Sequence, residues 1–554
     1  MEQATGIVYQ PRGIADAVQA AEGVLRERHA VERLNKHEAA LWSDDSAVTQ
    51  QISNSLGWLD VAAAMAERWP ELARFRDAAR ADGFTDAVLL GMGGSSLISI
   101  VWTEVFQQGP EGLRLHVLDS TDPETVETLK NRLPLATTLF LVASKSGTTT
   151  EPDRFHRFFW GAVEASGRDP ARQFVAITDP GTALHTQASQ GGWRAVFLNP
   201  ADIGGRYSAL SLFGLVPAAL MDLPGDRILA SAERMHDRIQ NPADAPHLAL
   251  GAMLGGAARA AMDKCTLAFE PVLAPFATWL EQLLAESTGK HGTGVIPVTE
   301  SRVAGPAQYG RDRLLVRAAL AGHPADPDFD ALTNLNPAVR ITLEDTVELG
   351  GQFLLWEAAT ALVGRVLGIN PFDQPNVQES KDNTKAMLEV FSEQGALPEV
   401  EGAPSFAVDS PALRPALDAW LHGVGTGEYI AIMAYVPESE AATDLLHAAQ
   451  AMLRNRLRIA VTVGYGPRFL HSTGQLHKGG PATGRFLQLT ALSTRVPPLP
   501  IPGTGETFNV LIDAQARGDL KALASRGRPV LSLSMGGNVV EGLRTLVKEL
   551  EALS

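Results

Sequence analysis

The segment LFLVASKSGTTTEP, residues 139–152, passes without a break from a short apolar run into hydroxyl-bearing residues and a glycine. The apolar run has the length and composition of a buried strand, and a helical pattern follows it. A strand that ends in this way offers hydroxyl groups and backbone amides at a helix start, a combination suited to a phosphate monoester. A helix cap alone needs only one hydroxyl. We therefore predict an anion-binding turn formed by Ser144, Lys145, Ser146, Thr148 and Thr149.

Strand-like runs of the same kind recur on both sides of this segment. From Asp86 onward they alternate with helical stretches, and a second set follows the helical passage at 226–262. Such alternation predicts parallel sheets covered by helices on both faces. The beginning of the chain has apolar positions three and four apart, which is a helical pattern. We predict an α/β chain with two α/β/α sandwich domains and mainly parallel sheets: an N-terminal helical segment at 1–80, a first domain at 81–240, and a second domain with a C-terminal extension at 241–554.

The composition limits the classes of function. The chain has 554 residues and a formal net charge of -16, which argues against non-specific nucleic-acid binding and against a basic membrane-binding surface. Its single cysteine, Cys265, has no partner for an internal disulfide. The N-terminus lacks the order of a signal peptide, and the longest apolar run, from Ala209, is interrupted and too short to span a membrane. We expect a soluble, cytoplasmic protein without nucleic-acid or membrane partners.

Two glycine-rich turns are further candidates for ligand binding. The turn GMGGSS places Gly94 and Ser95 between a strand-like run and a helical run, where backbone amides can approach an anion closely. Packing explains such glycines equally well. A second glycine pair precedes Arg206, so a tight turn can present a fixed cation, although a pair with Asp202 would also explain the arginine.

One helical segment carries a candidate base. In WLEQLLAESTGKHGTG, which begins at Trp279, Gln282 and Glu286 lie four residues apart and therefore share one face of a helix. A glutamate on a helix is usually solvated. The spacing alone leaves two interpretations for Glu286, a surface carboxylate or a base that points into a site.

Five motifs together resemble the glucose-6-phosphate isomerase family, whose members have two domains of the sugar-isomerase (SIS) fold. The motifs are GMGGSS at Gly91, SKSGTTTE at Ser144, GGRYS at Gly204, LEQLLAESTGK at Leu280 and NPFDQPNVQESK at Asn370. The chain is most similar to the isomerase half of bacterial fusions between transaldolase and this isomerase. Because it is too short for both enzymes and begins with helical patterns, we expect a free-standing isomerase without transaldolase activity.

The resemblance implies a role for each matched residue. Arg206 would stabilise the enediolate oxygens, Glu286 would move a proton between C2 and C1, and Lys381 would assist ring opening. No metal and no cofactor is implied, and the family implies a homodimer. The residues implied in binding the sugar phosphate are Gly94, Ser95, Ser144, Lys145, Ser146, Thr148 and Thr149, with Gln282 beside the base.

The catalytic histidine of the family has no counterpart between the glutamate and lysine motifs of this chain. Downstream of the lysine motif, YGPRFLHSTGQLHKGG is similar to the histidine segment of the family. We therefore assign ring opening to His471, with His477 as the competing candidate and His291 as a third.

The resemblance implies the reversible conversion of glucose 6-phosphate to fructose 6-phosphate in glycolysis and gluconeogenesis. Two alternatives remain open at this point. The first is an isomerase of another hexose phosphate, such as mannose 6-phosphate, or of a sulfosugar. The second is a sugar-phosphate sensor without catalysis, which would need the anion-binding turn but no positioned base.

Overall fold

Three five-stranded sheets organise the chain in this computed structural model, which describes residues 6–491 and 497–553. We number strands and helices in chain order. The N-terminal segment is helical apart from one short strand, which pairs antiparallel with a strand of the second sheet. Its elements are β1 (Ile7–Gln10), α1 (Ala15–Glu27), α2 (Ala30–Asn35), α3 (Ser46–Ser53) and α4 (Val61–Ala81).

The first sheet is parallel throughout. It is built from β2 (Asp86–Leu90), α5 (Leu97–Val105), β3 (Arg114–Leu118), α6 (Pro123–Arg132), β4 (Thr138–Ala143), α7 (Thr150–Ala165), β5 (Phe174–Thr178), α8 (Ala183–Gln190) and β6 (Ala195–Leu198). The strand order is β3-β2-β4-β5-β6, and the central strands β2, β4 and β5 are buried at every position. Helices on both faces explain their continuous apolar character. The carboxyl ends of β2 and β4 meet at the point where the strand order reverses, the usual place for a ligand in such a sheet.

The second sheet has the strand order β1-β10-β9-β7-β8, and the pairs other than β1 with β10 are parallel. Its long central helices pack against one another and against the N-terminal segment. The elements of this part are α9 (Leu212–Leu220), α10 (Gly225–Gln240), α11 (Pro246–Arg259), β7 (Lys264–Leu267), α12 (Ala274–Thr288), β8 (Ile296–Thr299), β9 (Arg313–Leu320), α13 (Pro327–Thr333), β10 (Ala338–Leu343), α14 (Leu349–Leu367) and α15 (Pro375–Gln394).

The third sheet is again parallel, with the order β11-β15-β14-β12-β13. Its core is a separate cluster of buried aliphatic side chains. The elements are β11 (Ser405–Ala407), α16 (Leu413–Leu421), β12 (Tyr429–Tyr435), α17 (Glu440–Leu457), β13 (Ala460–Tyr465), α18 (Thr473–Gly479), β14 (Gly484–Thr490), α19 (Phe508–Ala524), β15 (Val530–Ser534) and α20 (Val539–Ala552).

The predicted fold class, α/β with mainly parallel sheets after an N-terminal helical segment, is confirmed. The structure adds a third sheet inside the region 241–554, where the sequence predicted a second domain with an extension. The predicted boundaries at 81 and 241 stay predictions. Across the described residues, no helix combines the length and the apolar character that a membrane crossing requires.

Candidate active site

The predicted phosphate-binding turn lies between the end of β4 and the start of α7, where the strand order of the first sheet reverses. Its hydroxyl groups bond to one another. Ser144 Oγ donates to Thr149 Oγ1 over 3.1 Å, and Thr148 Oγ1 donates to Ser146 Oγ over 3.1 Å. Thr149 directly precedes α7 but makes no side-chain bond to the helix amides. Helix capping therefore does not account for this row of hydroxyls, and the first amides of α7 are free of such a cap.

Lys145, in the middle of this turn, already has partners. Its Nζ pairs with Asp179 and donates to the Ala201 carbonyl over 2.8 Å. The side chain is about one-third exposed. A bound phosphate would have to share or replace the Asp179 contact, so direct phosphate binding by Lys145 stays a prediction.

The glycine turn after β2 is required by close packing. A Cβ atom on Gly94 would stand 2.3 Å from the Gly205 carbonyl oxygen, and one on Gly93 would stand 2.8 Å from the Cβ of His471. Gly93 also has a positive φ of 59°, which glycine adopts without strain. These glycines allow the arginine turn and the histidine turn to approach the end of β2. A role of Gly94 and Ser95 in substrate binding stays a prediction.

Arg206, Gln282 and Glu286 form one buried cluster. Gln282 and Glu286 lie on the C-terminal half of α12, which is buried throughout. Arg206 Nη1 is 3.2 Å from Glu286 Oε1, and Gln282 Nε2 donates to Glu286 Oε2 over 3.0 Å. Glu286 is 7% exposed and Arg206 is 4% exposed. This face of the helix is therefore not a solvated edge, and the carboxylate is held between a cation and an amide.

Hydrogen bonds fix the Arg206 guanidinium on several sides. Nε donates to Ser287 Oγ over 2.7 Å, Nη2 donates to the Pro371 carbonyl over 2.7 Å, and Nη1 donates to Gln374 Oε1 over 2.9 Å. A cation held in this way needs little reorganisation when negative charge develops beside it. Arg206 therefore depends on the segment that precedes α15.

Lys290 anchors the same segment, residues 370–374. Its Nζ donates to the Asn370 carbonyl over 2.7 Å and to Asp373 Oδ1 over 2.6 Å. Burial, together with the charge of Arg206, lowers the pKa of Lys290 to about 8, although the Asp373 carboxylate opposes this shift. Lys290 and Arg206 thus bind one segment, and its position depends on both cations.

His471 reaches the predicted phosphate-binding turn from the third sheet. It ends the short helical turn Arg468–His471 after β13, and its Nε2 is 3.1 Å from Glu151 Oε1 at the start of α7. Its backbone carbonyl accepts a hydrogen bond of 2.7 Å from Gln282 Nε2. The imidazole therefore faces the anion-binding turn while its backbone adjoins the Glu286 cluster.

Glu151 is a residue of this site that the sequence analysis did not single out. It is 4% exposed. Burial raises the pKa of its carboxyl, but the facing His471 ring, a backbone amide and the charge of Lys381 outweigh burial and bring the pKa below its ordinary value. The signal available in the sequence was its place as the charged last residue of SKSGTTTE.

A partly buried ion pair holds the histidine turn against the first sheet. Arg468 Nε and Nη2 donate to the two carboxylate oxygens of Asp119 over 2.7 and 2.9 Å, directly after β3. A bidentate arginine–carboxylate pair fixes orientation as well as distance. Ser96 Oγ donates to the same carboxylate over 3.2 Å. The approach of His471 to Glu151 is thus held by a contact between the first and third sheets.

The two other histidine candidates lie in different surroundings. His477 is 3% exposed, and its ring is 5.1 Å from the ring of Phe486 between centroids. Burial lowers the pKa of His477 well below its ordinary value, and neither ring nitrogen has a hydrogen-bond partner among the described residues. His291 is an exposed turn residue with a positive φ of 54°. The structure therefore gives His477 a core position and His291 a surface position.

A cavity of about 540 Å³ lies beside the anion-binding turn. Lys381, an exposed residue on α15, lies on its wall, as does His471. Arg206, Gln282 and Glu286 are not part of this wall, and Gln282 adjoins the His471 backbone. The lining includes Thr148, Thr150, Glu151, Arg154, Lys381, His471 and Gln515.

The mainly parallel α/β layers are those of the sugar-isomerase (SIS) fold. A hypothetical protein from Thermus thermophilus has a similar structure, with a TM-score of 0.57 and 24% identity, covering 69% of this chain and 99% of that chain. A glucose-6-phosphate isomerase from Chlamydia trachomatis D/UW-3/Cx is similar with a TM-score of 0.55 and 17% identity, covering 76% of this chain and 92% of that one. These two structures support the fold.

The chain belongs to the phosphoglucose isomerase family, whose sequence profile matches residues 28–312, just over half of its length. Glucose-6-phosphate isomerases from Synechococcus sp. (strain JA-3-3Ab) and Prochlorococcus marinus subsp. pastoris (strain CCMP1986 / NIES-2087 / MED4) are each 30% identical to it. The matched regions span 66% and 68% of those relatives and 55% and 57% of this chain. The family resemblance drawn from the motifs is confirmed, while Lys381 and His471 lie beyond the profile match.

Proposed function

We propose that this chain catalyses the reversible isomerisation of D-glucose 6-phosphate to D-fructose 6-phosphate through an enediol(ate), a step of glycolysis and gluconeogenesis. The observation that carries the proposal is the buried contact of Glu286 with Arg206 and Gln282, next to His471 and the anion-binding turn. A carboxylate held against a fixed cation suits proton removal beside a carbonyl group. Membership of the phosphoglucose isomerase family supports the same reaction.

Each residue of the proposed site would serve a different step of the reaction. His471 would take the proton of the anomeric hydroxyl while Lys381 gives a proton to the ring oxygen, so that the ring opens. Glu286 would then remove the proton from C2 and return it to C1. Arg206 would stabilise the negative oxygens of the intermediate without moving, because its hydrogen bonds already fix it. No step of this scheme draws on a metal or a cofactor.

The anion-binding turn would orient the sugar from its far end. Contacts of Ser144, Ser146, Thr148 and Thr149 with the phosphate do not change during the reaction, so their binding energy serves positioning. Gln282 would contact the substrate beside Glu286. Ser95 and Lys145 belong to the same proposed set.

A coupled assay on a panel of hexose phosphates tests the proposal. We expect fructose 6-phosphate from glucose 6-phosphate, with slower conversion of mannose 6-phosphate. Failure to form fructose 6-phosphate from glucose 6-phosphate, with turnover of another phosphosugar, would contradict the proposed substrate. Binding without turnover of the whole panel would contradict the enzyme itself.

Lys290 should make turnover sensitive to alkaline pH. Its ammonium faces Arg206, Asp373 and Glu286 and holds the segment on which Arg206 depends. Because the pKa of Lys290 is about 8, kcat should fall as the pH rises through about 8. Lys290→Met should have a lower kcat at neutral pH and lack this alkaline fall. The measurement is kcat from neutral to alkaline pH in both proteins.

The titration of Lys290 should change the free energy of unfolding in the direction opposite to its effect on kcat. The pKa of Lys290 in the fold lies below its ordinary value of 10.5, so between about 8 and 10.5 the unfolded chain binds more protons at this group. The free energy of unfolding from this group therefore rises with pH in that window. If the unchanged protein and Lys290→Met lose kcat equally as the pH rises, Lys290 is not the cause of the alkaline fall in kcat.

The finer features of the resemblance belong to the same proposal. We propose a cytoplasmic homodimer that is most similar to the isomerase half of the transaldolase fusions. The His471–Glu151 contact lies within one chain. We expect no transaldolase activity from these residues, because the described strands form three open sheets and not an eight-stranded barrel.

A further inference from the structure

A buried chain of hydrogen bonds ends on the carboxylate that faces His471. Gln515, on α19, is 2% exposed, and its Nε2 donates to Glu151 Oε1 over 2.7 Å. Thr121, after β3, donates from Oγ1 to Gln515 Oε1 over 2.6 Å. Glu151 Oε1, beside the imidazole, therefore ends a chain of hydrogen bonds that runs from Thr121 through Gln515.

The chemistry of the partners fixes the orientation of the Gln515 amide. A carboxylate can only accept, so the amide NH2 group faces Glu151 and the amide oxygen faces Thr121. Glu151 Oε1 also lies 3.1 Å from His471 Nε2. An ionised Glu151 therefore holds the imidazole proton on Nε2, which leaves the lone pair of the neutral ring on Nδ1.

We propose that Gln515 is a positioning residue for ring opening, because it fixes the Glu151 carboxylate so that His471 keeps its proton on Nε2 and presents Nδ1 to the sugar. The inference rests on the proposed function and extends it to a helix of the third sheet. Without the Gln515 donor the carboxylate loses one of the two side-chain contacts at Oε1, and the orientation of the facing imidazole is less tightly fixed. A misplacement of about 1 Å in a catalytic group can cost about 100-fold in rate.

Gln515→Met removes both the hydrogen-bond donor and the acceptor of the side-chain amide while keeping nearly the same side-chain volume. We expect kcat to fall about 10- to 100-fold while KM changes little. We also expect the ¹⁵N spectrum of His471 to lose the pattern of an imidazole protonated on Nε2. The matched control is Gln450→Met, because Gln450 is 6% exposed and donates to the carbonyls of Thr299 and Val461, outside the wall of the cavity. The control should lose stability but keep kcat and the His471 spectrum.

The variant Gln515→Glu distinguishes an effect of Gln515 on the orientation of Glu151 from an effect on packing, through the pH dependence of kcat. A protonated carboxyl group at this position donates to Glu151 as the amide does, whereas an ionised one repels it, and two adjoining carboxylates resist joint ionisation. The kcat of this variant, relative to the unchanged protein, should therefore fall as the pH rises, whereas Gln515→Met should show a constant deficit. The titratable and charged groups around this position are Glu151, His471, Lys381 and Tyr435, together with Arg154 and Glu506 on the cavity wall and the Lys478–Asp519 pair one turn along α19.

Unchanged kcat in Gln515→Met, or a relative kcat of Gln515→Glu that does not vary with pH, would overturn the inference. If Gln515→Met does not fold, Thr121→Val carries the test, because it removes only the donor to the Gln515 amide oxygen. Its kcat and its His471 spectrum should shift in the same direction by a smaller amount, and unchanged values would overturn the inference. Failure of the proposed function is seen separately, as absence of turnover in the unchanged protein, while the His471 spectrum still reports on Gln515.

Discussion

Replacing Glu286 by glutamine should lower kcat by about 100- to 10,000-fold while the protein still binds fructose 6-phosphate. The amide has nearly the shape of the carboxylate but cannot accept the C2 proton. The anion-binding turn lies on a different element, between β4 and α7, and keeps its hydroxyl groups. The measurements are kcat in the coupled assay and affinity for fructose 6-phosphate by calorimetry.

The neighbouring Glu281 provides a matched control on the same helix. It is 8% exposed, and burial raises the pKa of its carboxyl to about 8 against the opposing charge of Arg468. Glu281 is therefore largely protonated at neutral pH, and Glu281→Gln exchanges one neutral group for another. We expect kcat of this variant to stay close to that of the unchanged protein. Near-normal turnover in Glu286→Gln would remove Glu286 from the mechanism.

Replacing His471 by alanine should lower kcat for glucose 6-phosphate by about 100-fold. The variant loses the group that would accept the anomeric proton, although Glu286 keeps its contact with Arg206. His291→Asn is the control, because an exposed residue with a positive φ tolerates asparagine and should leave kcat unchanged. The coupled assay on the three proteins in parallel gives this comparison.

An open-chain substrate shows which step His471 serves. A four-carbon aldose phosphate carries the phosphate on its terminal oxygen and cannot close a ring, so it needs no ring opening. We expect His471→Ala to exchange the C2 hydrogen of this compound with solvent at nearly the rate of the unchanged protein. An equal loss with both substrates would contradict ring opening as the role of His471.

Local features of the sequence predicted the first sheet and the place of the turn after β4, whereas anion binding by that turn stays a prediction. The run at 139–143 predicted a buried strand because a strand covered on both faces is apolar at every position. Ser144 to Thr149 predicted an anion-binding turn because the hydroxyls exceed what a helix cap requires. The glycine pair before Arg206 predicted a tight turn, and the structure has a short helical turn there.

The contacts between sheets were beyond the sequence analysis. The spacing of Gln282 and Glu286 did not decide whether Glu286 is a surface carboxylate or a base in a site. Its burial depends on the elements packed around α12 and not on α12 itself. The strand β1 lies in a segment predicted as helical, since its hydrogen bonds come from β10, more than 300 residues away in the chain. Glu151 and Gln515 meet across 364 positions of sequence, and no local pattern reports such a contact.

We propose that this chain moves a proton between C2 and C1 of a phosphosugar through an enediol(ate), with Glu286 as the base. The most direct test follows the hydrogens at C1 and C2 by NMR while the protein acts on glucose 6-phosphate in heavy water. We expect fructose 6-phosphate with deuterium at C1, and loss of this exchange in Glu286→Gln. Binding of fructose 6-phosphate without exchange at either carbon in the unchanged protein would rule out the isomerase reaction and identify a sugar-phosphate sensor.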